Sequence, residues 1–110
     1  MVKPIISLLM PTRKRPLFMH RLVTSAYQTA MDNEGTWWPI EIIFYIDDDD
    51  VESIKELSIL QSLYPIAQWR FISAVIGPRI VLSEAWNECY KVSTADILMH
   101  CGDDIIFRTA

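Results

Sequence analysis

The sequence has no surplus of basic residues, no closely spaced cysteines and no apolar run long enough to span a bilayer. With 10 Lys and Arg against 14 Asp and Glu, its formal net charge is −4. That balance argues against general nucleic-acid affinity, which needs excess cationic side chains to displace counterions from phosphates. The one local exception is Arg13-Lys14-Arg15. The two cysteines, Cys89 and Cys101, are isolated and sit in apolar patterns that read as interior. A disulfide framework is therefore not expected, in keeping with a reducing compartment. No stretch approaches the roughly 20 apolar residues of a membrane span. Met1-Val2-Lys3-Pro4 and the short strand after it lack the apolar core of a signal peptide. The expectation is a cytoplasmic protein with no transmembrane segment.

What is present is enough for one folded domain. Of the 110 residues, 51% are hydrophobic and 22% charged, a globular composition. A chain of this size buries roughly two-thirds of the surface it exposes when unfolded. Three apolar, β-branched runs break off straight into charge: IISLLM into Pro11-Thr12-Arg13-Lys14-Arg15, IIFYI into Asp47-Asp48-Asp49-Asp50, and DILMHC into Gly102-Asp103-Asp104. If the runs are parallel strands, all three clusters lie along one sheet edge, where open α/β folds bind their ligands.

The element pattern supports that geometry. Residues 5–10 read as a buried strand stopped by Pro11. From Leu17 to about Met31, apolar residues at 18, 19, 22, 23, 26, 27 and 30 follow helical spacing, with Pro16 suited to the first turn. A second strand spans 41–46. Asp49 and Glu52 resemble a capping box opening a helix over 50–64, with Ile54, Leu57, Leu60 and Leu63 as its buried stripe. Residues 68–73 make a third strand, and Gly77-Pro78 an irregular loop. Ser83 caps a third helix whose apolar face is Leu82, Ala85, Trp86, Cys89 and Tyr90. A fourth strand spans 97–101, and Ile105 to Phe107 starts a fifth element. The β-α-β-α-β-α-β order, with right-handed crossovers, predicts a three-layer α/β/α sandwich around a mostly parallel, Rossmann-like sheet.

Among the candidate chemical groups, Asp49 or Asp50 has an ordinary role as a helix cap. Asp47 and Asp48, nearest the strand end, are better placed to accept hydrogen bonds from a base or sugar. Gly102-Asp103-Asp104 reads either as a turn or as hard oxygen ligands for Mg²⁺ or Mn²⁺. Arg13, Lys14 and Arg15 together can contact a diphosphate by charge-assisted hydrogen bonds, and Arg79 can join them after a loop movement. His100 and Cys101 suggest zinc, but neighbouring strand residues point to opposite faces, which favours packing. His20 reads as surface, Trp86 as core, and Trp37 and Trp38 as packing or partner contacts at the opposite sheet edge.

In order and spacing these segments resemble the N-terminal, nucleotide-binding half of a GT-A fold glycosyltransferase of the broad family-2-like type. The resemblance runs from Ile5 to Phe107 and rests on ISLLMPTRKRP, IIFYIDD, a glycine-containing loop and SEAWNECYKVSTADILMHCGDD. In the last segment Asn87, Ala95-Asp96 and the terminal Asp pair resemble the family's asparagine-bearing helix and acidic motif. Pro11, Thr12 and Arg15 match the family; Lys14 stands where it often has asparagine. The family's Asp-x-Asp lacks its first aspartate in either register, since Cys101 and Gly102 stand there.

The resemblance implies transfer of a sugar from a nucleotide-diphosphate donor to an acceptor hydroxyl, with a divalent metal (Mn²⁺ or Mg²⁺) neutralising the departing diphosphate. Pro11, Thr12 and Arg15 would line the nucleotide pocket, with Asp47 or Asp48 on the base. Asp104 would meet the metal, with Asp103 as neighbour or substitute. In such enzymes the acceptor site and general base follow the acidic motif. A chain ending at Ala110 is therefore expected to be the N-terminal, donor-binding part of a longer catalytic domain.

Two other readings compete. One is a non-catalytic nucleotide- or metal-binding module that self-associates through an exposed Ile105-Ile106-Phe107 edge. The other is a sugar-phosphate nucleotidyltransferase, which would want a glycine-rich loop where PTRKRP has no glycine.

Overall fold

A computed structural model describes residues 3–30, 38–65 and 70–107. In chain order the elements are β1 (Ile6–Thr12), α1 (Pro16–Thr29), β2 (Ile40–Asp47), α2 (Val51–Leu63), β3 (Arg70–Gly77), α3 (Leu82–Val92) and β4 (Ile97–His100). The four strands form one sheet in the order β3-β2-β1-β4, and every pairing is parallel. The expected α/β/α sandwich is what the chain forms.

Period-2 alternation divides the core between the two faces of the sheet. Leu8 and Met10 of β1, with Ile42, Phe44 and Ile46 of β2, meet Met19, Leu22, Val23 and Ala26 of α1 and Leu57 and Leu60 of α2. Their alternates, Leu9, Ile43 and Tyr45, meet Ala85 and Cys89 of α3. Helices α1 and α2 thus cover one face and α3 the other. Each fully buried aliphatic side chain contributes about 1.5–3 kcal/mol, which is why the strand runs are apolar on both faces.

Glu41 interrupts that apolar run at the amino end of β2 and is nonetheless buried. Its carboxylate accepts from Ser7 Oγ at 2.6 Å, from the Thr94 backbone N–H at 2.9 Å and from Thr94 Oγ1 at 3.1 Å. Ser7 Oγ in turn accepts from the Ala95 N–H. This network ties the connection before β4 to β1 and β2, and so fixes where β4 starts.

Several local expectations shift. Pro11 does not stop β1, which runs on to Thr12. The Leu9 carbonyl accepts from Cys101 N–H, so odd-numbered β1 residues address β4. The last β1–β4 pair is Leu9 with His100, and the N–H that Pro11 lacks would have pointed past the end of β4. Of the two candidates Asp49 and Asp50, Asp50 caps α2, accepting from Ser53 N–H, so the capping box of Asp49 with Glu52 does not form. Helix α3 begins at Leu82 with Val81 before it and no side-chain cap, leaving Ser83 inside the first turn. Leu63, Leu82 and Tyr90 are exposed, so the buried stripes of α2 and α3 are narrower than helical spacing alone suggests. Strand β3 extends to Gly77; residues 68 and 69 of the expected strand lie outside the described residues, as do Met31 and Trp37.

Ile105 to Phe107 forms no strand. Ile105 and Phe107 pack on the α1 side of the core, and the Phe107 N–H donates to Ser25 Oγ at 3.1 Å. The exposed apolar edge is β4 itself, where Ile97, Leu98 and Met99 all reach solvent. No helix among the described residues is long and apolar enough to cross a membrane.

Candidate functional site

Strand order reverses direction between β1 and β4, and at such a switch point the carboxyl ends of the strands leave a crevice. A cleft of about 520 Å³ opens there. Its walls come from three loops and one helix. Pro11 to Arg15 form one side, and Asp47 and Tyr45 at the end of β2 form the base. Arg79 and Ile80 follow β3, Leu82 and Ala85 come from the first turn of α3, and Asp103 closes the β4 side.

Charge within the cleft is arranged in pairs. Asp103, 9% exposed, accepts from Thr12 Oγ1 at 2.9 Å on one oxygen and from Arg15 Nη1 at 3.3 Å on the other. The Arg13 guanidinium donates to Asp47 and, at 3.2 Å, to Asp49. Those two carboxylates raise its pKa further, against the opposing effect of burial. Lys14 and Arg79 make no hydrogen bond or ion pair through their side chains with any described residue. Four cationic side chains thus border the cleft against two carboxylates, in a chain that is acidic overall.

The backbone of the basic loop is held in an unusual shape. Lys14 has φ 52°, the one non-glycine residue with positive φ among those described. A lysine there costs about 1–2 kcal/mol relative to an ordinary conformation. The conformation turns the Lys14 N–H onto Asp50 Oδ2 at 2.6 Å. Asp50 is 1% exposed, and the same carboxylate caps α2. Burial pushes its pKa up, but the hydrogen bonds from Lys14 and Ser53 and the charge of Arg13 outweigh burial and hold it below the usual carboxylate range. The aspartate run is therefore largely a latch between the β1–α1 and β2–α2 loops.

The loop after β3 depends on a close approach. Tyr45 Oη donates to the Pro78 carbonyl at 2.5 Å, and a Cβ on Gly77 would stand 2.7 Å from that hydroxyl. Burial, and then the nearby Asp47 charge, push the Tyr45 phenol pKa up, so the proton stays on as donor. This bond sets Arg79 at the cleft with no loop movement.

Pro11, Thr12, Arg15, Asp47 and Asp103 are thus brought together, as their positions at the strand ends predict. Asp48 and Asp104 are not: both are exposed and neither lines the cleft. Asp104 Oδ1 lies back over Gly102, 2.9 Å from where a Cβ would be, and its carbonyl accepts from Arg21. Asp96 pairs with Lys3, and Asn87 lies on a separate surface hollow of α3. His100 stacks on Trp86, centroids 4.9 Å apart, while Cys101 is buried on the other face; the two diverge as strand geometry requires. Tyr45, Ile80, Leu82 and Ala85 were not legible as cleft residues. Tyr45 reads as core, Leu82 and Ala85 as helix face and Ile80 as loop, and only the packing of α3 beside the end of β2 makes them a wall.

The residues present do not fit a divalent-cation site as they stand. Both Asp103 oxygens carry hydrogen bonds, a guanidinium occupies the space beside it, Asp47 is paired with Arg13, and Asp104 lies outside the cleft. Among the described residues no three His, Cys, Asp or Glu side chains group closely enough to hold a metal ion.

No family model matches the chain, and no curated protein matches it.

Proposed function

We propose that this chain is the donor-binding part of a glycosyltransferase that moves a sugar from a nucleotide-diphosphate donor to an acceptor hydroxyl. The observation that carries the reading is the cleft at the β1–β4 switch point. It collects Thr12, Arg15, Asp47 and Asp103 from three distant segments and adds Lys14 and Arg79, whose side chains have no partner among the described residues. Lys14, Arg15 and Arg79 meet the diphosphate, where negative charge grows as the sugar leaves. The apolar wall of Ile80, Leu82 and Ala85, with Tyr45 and Asp47, takes the nucleoside. Asp47 offers the hydrogen-bond acceptor that selects a base or ribose.

A second reading, a non-catalytic nucleotide-binding or interaction module, is favoured by β4, an apolar edge strand exposed along its whole length. The two part on what the chain binds. Titration of the chain with a panel of nucleotide-diphospho-sugars should show saturable binding of at least one. No binding of any donor overturns the donor-binding reading, and concentration-dependent self-association without donor binding favours the interaction module.

A further inference from the structure

The geometry points to a guanidinium in the role that the family resemblance gives to a metal: Arg15, seated on Asp103, bridges the acidic motif to the donor's diphosphate, with Lys14 and Arg79 completing the phosphate site and no divalent cation between them. The inference rests on the reading of the cleft as a nucleotide-diphosphate site.

Three relationships support it. First, Asp103 is the one carboxylate of the acidic pair that faces the cleft, and Thr12 and Arg15 each donate to one of its oxygens. A cation placed on it competes with those bonds and stands against the positive charge of Arg15. Mg²⁺ in nucleotide sites is held through one or two carboxylates, and the one offered here is already paired with a guanidinium.

Second, the Arg15 side chain is about half exposed and spends one nitrogen on Asp103. A guanidinium has five N–H donors in a planar fork, so the remaining donors are available to phosphate oxygens while the first stays on the carboxylate. An arginine held this way by an acidic partner is a bridge between two anions, as a divalent ion would be.

Third, Lys14 and Arg79 bring two further cations to the same cleft, neither with a side-chain partner among the described residues, so positive charge for the diphosphate is present without a metal ion.

The test is calorimetric titration of the chain with UDP, GDP and inorganic pyrophosphate, each in EDTA and in millimolar Mn²⁺. The expected result is binding of at least one of these with affinity unchanged within about twofold by the metal. Arg15→Ala and Arg79→Ala should each weaken binding about tenfold or more in both buffers, the loss of one charged hydrogen bond. Asp104→Asn should leave binding unchanged. Arg79, exposed and without a side-chain partner among the described residues, keeps the test readable if Arg15→Ala misfolds. Binding that appears only with Mn²⁺, or that Asp104→Asn abolishes, overturns this inference and leaves the functional reading standing. Failure of all three probes in both buffers overturns the two together.

Discussion

Gly77 and Tyr45 meet so closely that a single methyl group between them cannot be accommodated: a Cβ at Gly77 would lie 2.7 Å from Tyr45 Oη, while the next ring atom is 3.6 Å away. The conflict is with the hydroxyl alone. Gly77→Ala should therefore lower stability by about 1–3 kcal/mol, the usual cost of overpacking, by pushing the phenol off the Pro78 carbonyl. In a Tyr45→Phe background the clash disappears, and the same alanine should cost at least about 1 kcal/mol less. A double-mutant cycle by urea denaturation measures this coupling; strictly additive effects would mean that glycine is needed there for another reason.

Asp50 links pH to folding. Its folded pKa lies below the unfolded value of about 3.9, so its carboxylate stabilises the fold fully above that value. The contribution fades as pH falls through the unfolded and then the folded pKa. Asp50→Asn keeps a capping oxygen but removes the titration. Thermal melts should show the variant about 1 kcal/mol less stable at neutral pH, because the hydrogen bonds from Lys14 and Ser53 lose their charged acceptor, with a shallower loss below about pH 4. Parallel acid limbs for the two proteins would show that another group carries the dependence.

The buried thiols give a check on the core. Burial pushes both Cys89 and Cys101 up to about 11, so neither forms appreciable thiolate near neutrality, and the thiolate is the reactive form. A colorimetric thiol reagent at pH 8 should modify neither in the native protein and both in guanidinium. Rapid native reaction at either position would place that cysteine outside the packed interior.

The order of elements and the parallel sheet were legible because β-branched runs, helical periodicity and Pro16 all act within a few residues of one another. The strand ends carried the site for the same reason: in a parallel sheet every carboxyl end faces one edge, so Thr12, Asp47 and Asp103 converge once direction is known. What failed depended on neighbours that the local pattern does not name. Pro11 continues its strand because β4 stops short of it. Asp104 folds its carboxylate back over Gly102 while its backbone carbonyl accepts from Arg21 of α1, and Ile105 and Phe107 leave the sheet edge because α1 offers them a core.

Lys14 separates stability from binding. Its positive φ strains a long side chain, whereas asparagine tolerates the left-handed region through its short polar group; this gives a physical reason why the resembling family often has asparagine at the position. Lys14→Asn should raise stability by about 0.5–1 kcal/mol, as relief of a single strained residue does, and still present its backbone N–H to Asp50. It also removes one of the two unpaired cations of the cleft. Pyrophosphate binding should therefore weaken while the melting temperature rises. Lys14→Ala loses the same charge without the conformational gain, so it should weaken binding equally and leave stability unchanged or lower. If both variants bind pyrophosphate as the parent does, Lys14 holds the loop and touches no anion; if both lose stability, the left-handed turn is one that lysine itself supports.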